Sequence, residues 1–239
     1  MRDLKFVIVS VVVSSVAFGC GGQQEVKPAN VTLDESRQDA DPTREIGASA
    51  EIGAMPEEQS VYAFKESFNG IQKCFMAGSR RIEFLGGQIS LQVWVNDRGQ
   101  AQIVFADQST LGDRETERCM FDTLKGADWP KPVGGPIAMA QNSFEFEMSD
   151  EVRAPVDWDE DQIRGALAEN RGRINACKDG ARDPFLATVY VDTNGSAMSV
   201  GIAAPDRQQE AHSDCLVDLL SGLKYPTPGS WPAKVSFHL

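Results

Sequence analysis

Histidine is almost missing from this chain: His212 and His238 are the only two among 239 residues. A zinc site draws on at least three converging protein ligands, so two histidines in separate segments give no metal centre. The Gly-x-Ser-x-Gly elbow of serine hydrolases is absent, and neither histidine stands where a triad needs its base. No Cys-x-x-Cys pair occurs, which removes the thiol-disulfide oxidoreductases. Positive charge is scarce as well: 23 Lys and Arg face 35 Asp and Glu, a formal net charge of −12. That balance lacks the basic footprint that nucleic acid or anionic headgroups require. Nor is there a long hydrophobic run, because the apolar stretch from Phe6 to Phe18 falls short of the roughly 20 residues of a membrane-spanning helix. These absences leave no catalytic residue, no cofactor and no metal to name. A periplasmic hydrolase or thiol enzyme, tested through His212, stays only as a reading from another class.

The beginning of the chain carries an export pattern instead. Arg2 and Lys5 precede the apolar run, and small Gly19 and Cys20 follow it. Residues 1–19 are expected to be a secretory signal ending in a lipobox-like site, with Cys20 as the lipidated residue. Ala17 stands where such sites usually have Leu, and an uncleaved membrane anchor is the alternative. Gly21 after the Cys, in place of Asp, favours the outer membrane under the usual sorting rule, and puts the protein on the periplasmic side of a bacterial envelope. Removing Arg2, Asp3 and Lys5 with the signal would move the charge from −12 to −13. Residues 20–58 then turn to Gln, Glu, Asp, Pro, Ala and Ser, with only scattered Val26, Val31 and Leu33. Such a segment cannot offset the entropy of ordering, and reads as a tether with a reach of roughly 35 Å.

The rest of the chain is organised around a repeat. Cys119 to Pro130, CMFDTLKGADWP, returns as Cys215 to Pro226, CLVDLLSGLKYP. Cys, Asp, Leu, Gly and Pro recur in register and an aromatic precedes each Pro, so two copies of one unit are expected over 59–150 and 156–239. With Cys20 assigned to lipid, Cys74, Cys119, Cys177 and Cys215 remain. Four cysteines in an exported chain predict two disulfides. Of the three connectivities, only Cys74 with Cys119 and Cys177 with Cys215 gives both copies the same topology.

Periodicity assigns the elements. Ser60 is a plausible N-cap for a first helix carrying Val61, Phe64, Phe68, Ile71, Cys74 and Phe75 on one face, ending near Gly78. The stretch SRRIEFLGG has no clear assignment. Ile89, Leu91, Val93 and Val95 alternate along a strand, and the turn NDRG, with Gly99, leads to a second strand from Ala101 to Ala106. A helix with Cys119, Met120, Phe121 and Leu124 ends at Gly126, and Asn142 to Met148 closes the unit with Phe144, Phe146 and Met148 on one face. The order is α-β-β-α-β. SDEVRAPVDWDED is expected to bridge the copies. Its Asp157, Asp159 and Asp161 resemble the start of a calcium loop, but Gln162 and Ala168 occupy the positions where that loop needs Gly and a bidentate carboxylate. These carboxylates are better placed to complement the positive end of the next helix. The second copy repeats the order: a helix with Ile163, Leu167, Ile174 and Cys177, a strand from Phe185 to Val191, a hairpin at Asn194-Gly195, a helix opening near a capping box at Asp206 to Gln209, and a strand from Ala233 to Leu239.

This order of Cys-bearing helix, hairpin with Gly at its turn, second Cys helix, aromatic-Pro step and closing strand resembles the TonB C-terminal-like domain, in its cysteine-paired form, the AgmX/PglI C-terminal domain. The resemblance covers about 60–150 and 160–239. It implies an α+β fold of two tandem units, each with two helices on a three-stranded antiparallel sheet, and a role in protein contacts. Energy transduction is not implied, since the inner-membrane helix and Pro-rich span are missing. Asp122 and Asp218 at equivalent helix positions, and Trp94 and Tyr190 at equivalent strand positions facing away from the apolar row, are the candidate protein-binding residues. Trp94 and Tyr190 would alternatively lie under the second helix or between the domains. Gly201 stands where the first copy has bulky Phe105, which predicts different packing or binding by the second. The expected partners are the membrane, through Cys20, and envelope proteins reached by strand addition, with no nucleic acid. A lipid-tethered spacer without a specific ligand is the alternative.

Overall fold

In the computed structural model, which describes residues 52–239, the first helix, α1 (Glu57–Ser79), starts three residues before Ser60. Pro56 precedes it, and Glu57 and Glu58 in the first turn complement the positive helix end. Ser60 is therefore inside the helix and donates to the Glu57 carbonyl instead of capping it. Phe64, Ile71, Cys74 and Phe75 are buried at helical spacing. The unassigned stretch that follows buries Ile82, Phe84 and Leu85 in the same core. The signal segment, Cys20 and the tether up to residue 51 lie outside the described residues.

Strands β1 (Gly87–Asn96) and β2 (Ala101–Ser109) form the expected hairpin, and Ile89, Leu91, Val93 and Val95 are all fully buried. Helix α2 (Arg114–Lys125) is capped by Asp113, whose carboxylate accepts from the Thr116 N–H and hydroxyl. Strand β3 (Ile137–Phe146) begins five residues earlier than its aromatic alternation indicates, because Ala138 and Ala140 carry the inward pattern backwards with small side chains. The sheet order is β2-β1-β3, antiparallel throughout.

The second copy departs from three antiparallel strands. Its sheet is four-stranded and mixed, in the order β4-β7-β5-β6, from β4 (Val156–Trp158), β5 (Leu186–Val191), β6 (Ala197–Ala203) and β7 (Ala233–His238). The supposed bridge supplies β4, which runs parallel to β7. Val156 N–H donates to Pro232 O, and the Trp231 ring N–H to Ala154 O. The expected single helix is two, α3 (Arg164–Glu169) and α4 (Arg171–Lys178), parted at Asn170, whose side chain donates to Ala166 O. Asp159 caps the short 3-10 turn ahead of α3, and Asp161 pairs with Arg164. Asp206 accepts from the Gln208 and Gln209 N–H groups just ahead of a 3-10 turn, Gln209–His212, which is capped by no side chain and leads into α5 (Ser213–Ser221).

Both disulfides have the expected pairing, Cys74–Cys119 and Cys177–Cys215. The rest of the repeated stretch also acquires a physical cause. Trp129 Nε1–H donates to Leu124 O at 2.8 Å, and Tyr225 O–H to Leu220 O at 2.9 Å, so each aromatic adds a second donor to a last-turn carbonyl that also accepts from the backbone N–H three residues on, Ala127 and Leu223. The hairpin glycines Gly99 and Gly195 have φ +80° and +79°, and each lies against the carbonyl of that same aromatic, where a side chain has no room.

Candidate functional site

The two copies do not stand as separate bodies: Ala48–Leu239 is one compact unit. Their cores exchange residues. Tyr190 and Ala203 of the second copy belong to the first apolar cluster, while Phe105 of the first belongs to the second, with Trp94 and Ile103 packed against it. Each sheet thus turns its outer face to the other copy. The Arg207 guanidinium sits 4.2 Å from the Trp94 ring centre. Tyr190 is fully buried, donates to Gly86 O at 3.4 Å, and shares that carbonyl with Lys234 Nζ at 2.6 Å. Burial pushes the Tyr190 phenol up and the Lys234 amine down to about 8. Tyr190 therefore leaves the set of surface contact residues, and Trp94, partly buried under Arg207, serves the junction between the copies.

At the centre of that junction lies a charge cluster built on the first turn of α2. Arg114, 6% exposed, donates to Glu210 at 2.5 Å and to Asp214 at 3.2 Å across the junction. Arg118 pairs with Asp214, and Arg81 with Asp113 at 2.6 Å. Glu117 has no exposed surface; it accepts from Ser109 at 2.6 Å and from the Ile202 N–H at 3.3 Å, with Arg114 at 4.0 Å. Burial pushes its carboxyl up to about 7 against the hydrogen bonds and Arg114, which favour the charged form. Burial alone would lower the Arg114 guanidinium, but Glu210, Glu117 and Asp214 outweigh it and raise it.

Gly201 makes this closeness attainable. A β-carbon there would come within 2.5 Å of Glu117 Oε1, 2.8 Å of Gly112 Cα and 3.0 Å of Asp113 N. The difference from Phe105 noticed in the sequence is thus a packing difference: one copy offers a large side chain, the other a vacancy that admits Glu117. We expect Gly201→Ala to destabilise the protein by about 1–3 kcal/mol, since two of the three neighbours are backbone and cannot swing away. Thermal or urea unfolding of the variant beside the parent measures it.

Asp122 and Asp218 are both exposed on their helices. Asp122 approaches Lys125 at 3.9 Å and lines an open groove of about 470 Å³ together with Arg118, Phe121 and Asp214. His212 directly precedes α5 and His238 ends β7, with no shared partner.

What remains open to a partner is an edge. β3 pairs with β1 over ten residues without a register break, and its other side receives one backbone bond, from Gly53 N–H to Ile137 O at 2.8 Å. Among the described residues, no other backbone group bonds to that side. Between Ile137 and Phe144 the strand has no charged residue and no proline. Beside it on α1, Phe68 stacks on Phe144 at 6.2 Å while keeping 43% of its surface exposed, and Val61, two turns earlier on the same helix face, is 60% exposed. The other edges are guarded. β2 and β6 carry register breaks and meet each other through Ala204 N–H to Ala106 O, and β4 is three residues long with Pro155 before it and Asp157 within it.

Comparison of the chain with known protein families, with curated proteins and with solved structures found no match.

The sequence reading did not single out Arg114, Glu117, Glu210, Asp214 or Gly112 for the junction. One signal was available: Arg114 and Glu210, and Arg118 and Asp214, are equivalent positions of the two copies, ninety-six residues apart. Opposite charges at equivalent positions are what a quasi-two-fold contact needs, since like charges would face each other if the copies were identical.

Proposed function

We propose that this protein is a non-enzymatic, lipid-anchored component of the bacterial envelope that acts by binding other proteins, and that the β3 edge is where it binds. The observation that carries this reading is the outer side of β3, which beyond the contact at Ile137 pairs with no other backbone among the described residues. Natural sheets blunt such edges with bulges, charges, proline or brevity, and the other three edges of this protein show those devices. A regular ten-residue edge, uncharged from Ile137 to Phe144 and flanked by exposed Phe68 and Val61, fits the addition of an extended segment, with backbone bonds giving affinity and the apolar strip selecting side chains. The resemblance to TonB C-terminal-like domains agrees with a contact role, and export with lipidation at Cys20 would place the protein on the periplasmic side, at the outer membrane.

Asn142 and Ser143 are both exposed, adjacent on β3 and on opposite faces of it. Asn142→Lys with Ser143→Lys is expected to leave stability within about 0.5 kcal/mol, as for other surface changes, while charging the edge on both faces. Crosslinking of the full chain in its native envelope should then lose its partner with the double variant. Equal crosslinking of parent and variant to the same partner would overturn the edge as the site. Mass spectrometry of the mature chain tests the anchor: an unmodified Cys20 would remove it.

A further inference from the structure

A buried charge cluster joins the two copies, and at its centre is a carboxyl group with no solvent exposure. We propose that Glu117 is a proton-set latch between the two copies, holding them together in its neutral form and loosening their contact when it ionises. The geometry is that of a junction, because the ligands of Glu117 come from both copies. Ser109 of the β2 end donates to one carboxylate oxygen, and the Ile202 N–H of β6 to the other. Gly201, next to Ile202, leaves the space into which the carboxyl group fits.

The charged groups around it come from every neighbouring element. On its own helix are Arg114, at 4.0 Å, and the capping Asp113, itself held by Arg81 from beyond α1 and by Ser199 of β6. From the 3-10 turn and α5 come Glu210 and Asp214, which draw Arg114 away from Glu117 by taking its Nη2 and Nε hydrogens at 2.5 and 3.2 Å. Arg114 Nη1, the atom nearest Glu117, has no hydrogen-bond partner. A neutral carboxyl group suits this setting, in which the one buried cation is already shared by two other carboxylates. An ionised one adds a third negative charge, at a position that itself has no solvent exposure. If the contact opens, Glu117 meets solvent and returns toward an ordinary carboxylate range.

The sign follows. A carboxyl group that binds its proton more tightly closed than open holds the closed state most firmly in acid, and that hold is lost as pH rises toward and through about 7. Opening would bare Tyr190, Trp94 and the outer faces of both sheets, so the latch would set how much surface the protein offers. This inference stands apart from the β3 edge and does not depend on it.

The test is amide exchange of Ile202 in the full chain from pH 5.5 to 8, corrected for the intrinsic pH dependence of exchange. The parent should lose protection by on the order of tenfold across that range. Glu117→Gln, which has no proton to lose, should be flat. Ser109→Ala, which removes a hydroxyl favouring the carboxylate, should move the parent's transition to higher pH. Flat protection in the parent, or an equal slope in parent and Glu117→Gln, would overturn the latch. If Glu117→Gln fails to fold, the Ser109→Ala displacement decides: an unmoved transition refutes the proposal.

Discussion

Arg114→Met is expected to cost about 3–5 kcal/mol of stability, in the range for removing one partner of a buried ion pair and stranding the other. Arg114 is 6% exposed and Glu117 not at all, and Glu210 keeps only 17% of its side-chain surface. Methionine matches the stem of arginine but leaves these carboxylates facing one another without the cation. They will respond by holding their protons more tightly. Burial already pushes both Glu117 and Glu210 up, and the loss of Arg114 moves them in the same direction. The damage should therefore be smallest near pH 5, where the carboxyl groups become neutral at modest cost, and greatest above pH 7. Arg118→Met is the comparison. It pairs with the same Asp214, yet it is 54% exposed, and such a pair is worth at most about 1 kcal/mol. Urea unfolding of both variants at pH 5 and pH 8 measures the contrast. Similar losses in the two, or an Arg114→Met loss that shrinks as pH rises, would refute this account of the junction.

The elements were legible where one face of a segment is uniformly apolar. Ile89, Leu91, Val93 and Val95 declare β1, and the repeated Cys, Gly and aromatic-Pro positions gave the disulfide pairing, because in each copy they serve the same carbonyls and the same turn. The α+β class follows from these. Legibility failed where a residue's surroundings come from the other copy. Trp94 and Tyr190 alternate away from the apolar row as a surface residue would, and nothing local distinguishes a face turned to solvent from one turned to a second core. Glu117 is the sharpest instance. A charged residue in the first turn of a helix is ordinarily solvated, and only the vacancy at Gly201, eighty-four residues onward, makes it internal. Strand β4 was missed for a related reason: three residues among acidic and proline neighbours have no period, and it is β7, far along the chain, that makes them a strand. The β3 edge is the converse, since a pattern shows which side chains point inward but not which backbone groups lack a neighbour among the described residues.

Removal of the second disulfide, by Cys177→Ala with Cys215→Ala, is expected to cost about 4 kcal/mol, and removal of the first, by Cys74→Ala with Cys119→Ala, distinctly more. Chain entropy does not make this difference. The bridges close separations of 45 and 38 residues, and the logarithmic dependence on loop length separates them by only about 0.2 kcal/mol. Burial does. Cys74 is 3% exposed within the first core and its sulfur lies 3.6 Å from the Thr123 hydroxyl, so alanine there leaves unfilled volume between α1 and α2. Cys119 and Cys215 are both exposed, so the difference lies in their partners: Cys177 is only half-buried, and its site leaves less cavity than that of Cys74. The deeper burial of Cys74 than of Cys177 also orders reduction: limiting dithiothreitol should open Cys177–Cys215 before Cys74–Cys119, as read by thiol alkylation and peptide mapping. Because the copies share one compact unit and exchange core residues, either double variant should still unfold in a single transition. Two separated transitions would mean that the junction around Arg114 and Glu117 does not couple the copies, and that they fold as the independent domains their repeated sequence suggests.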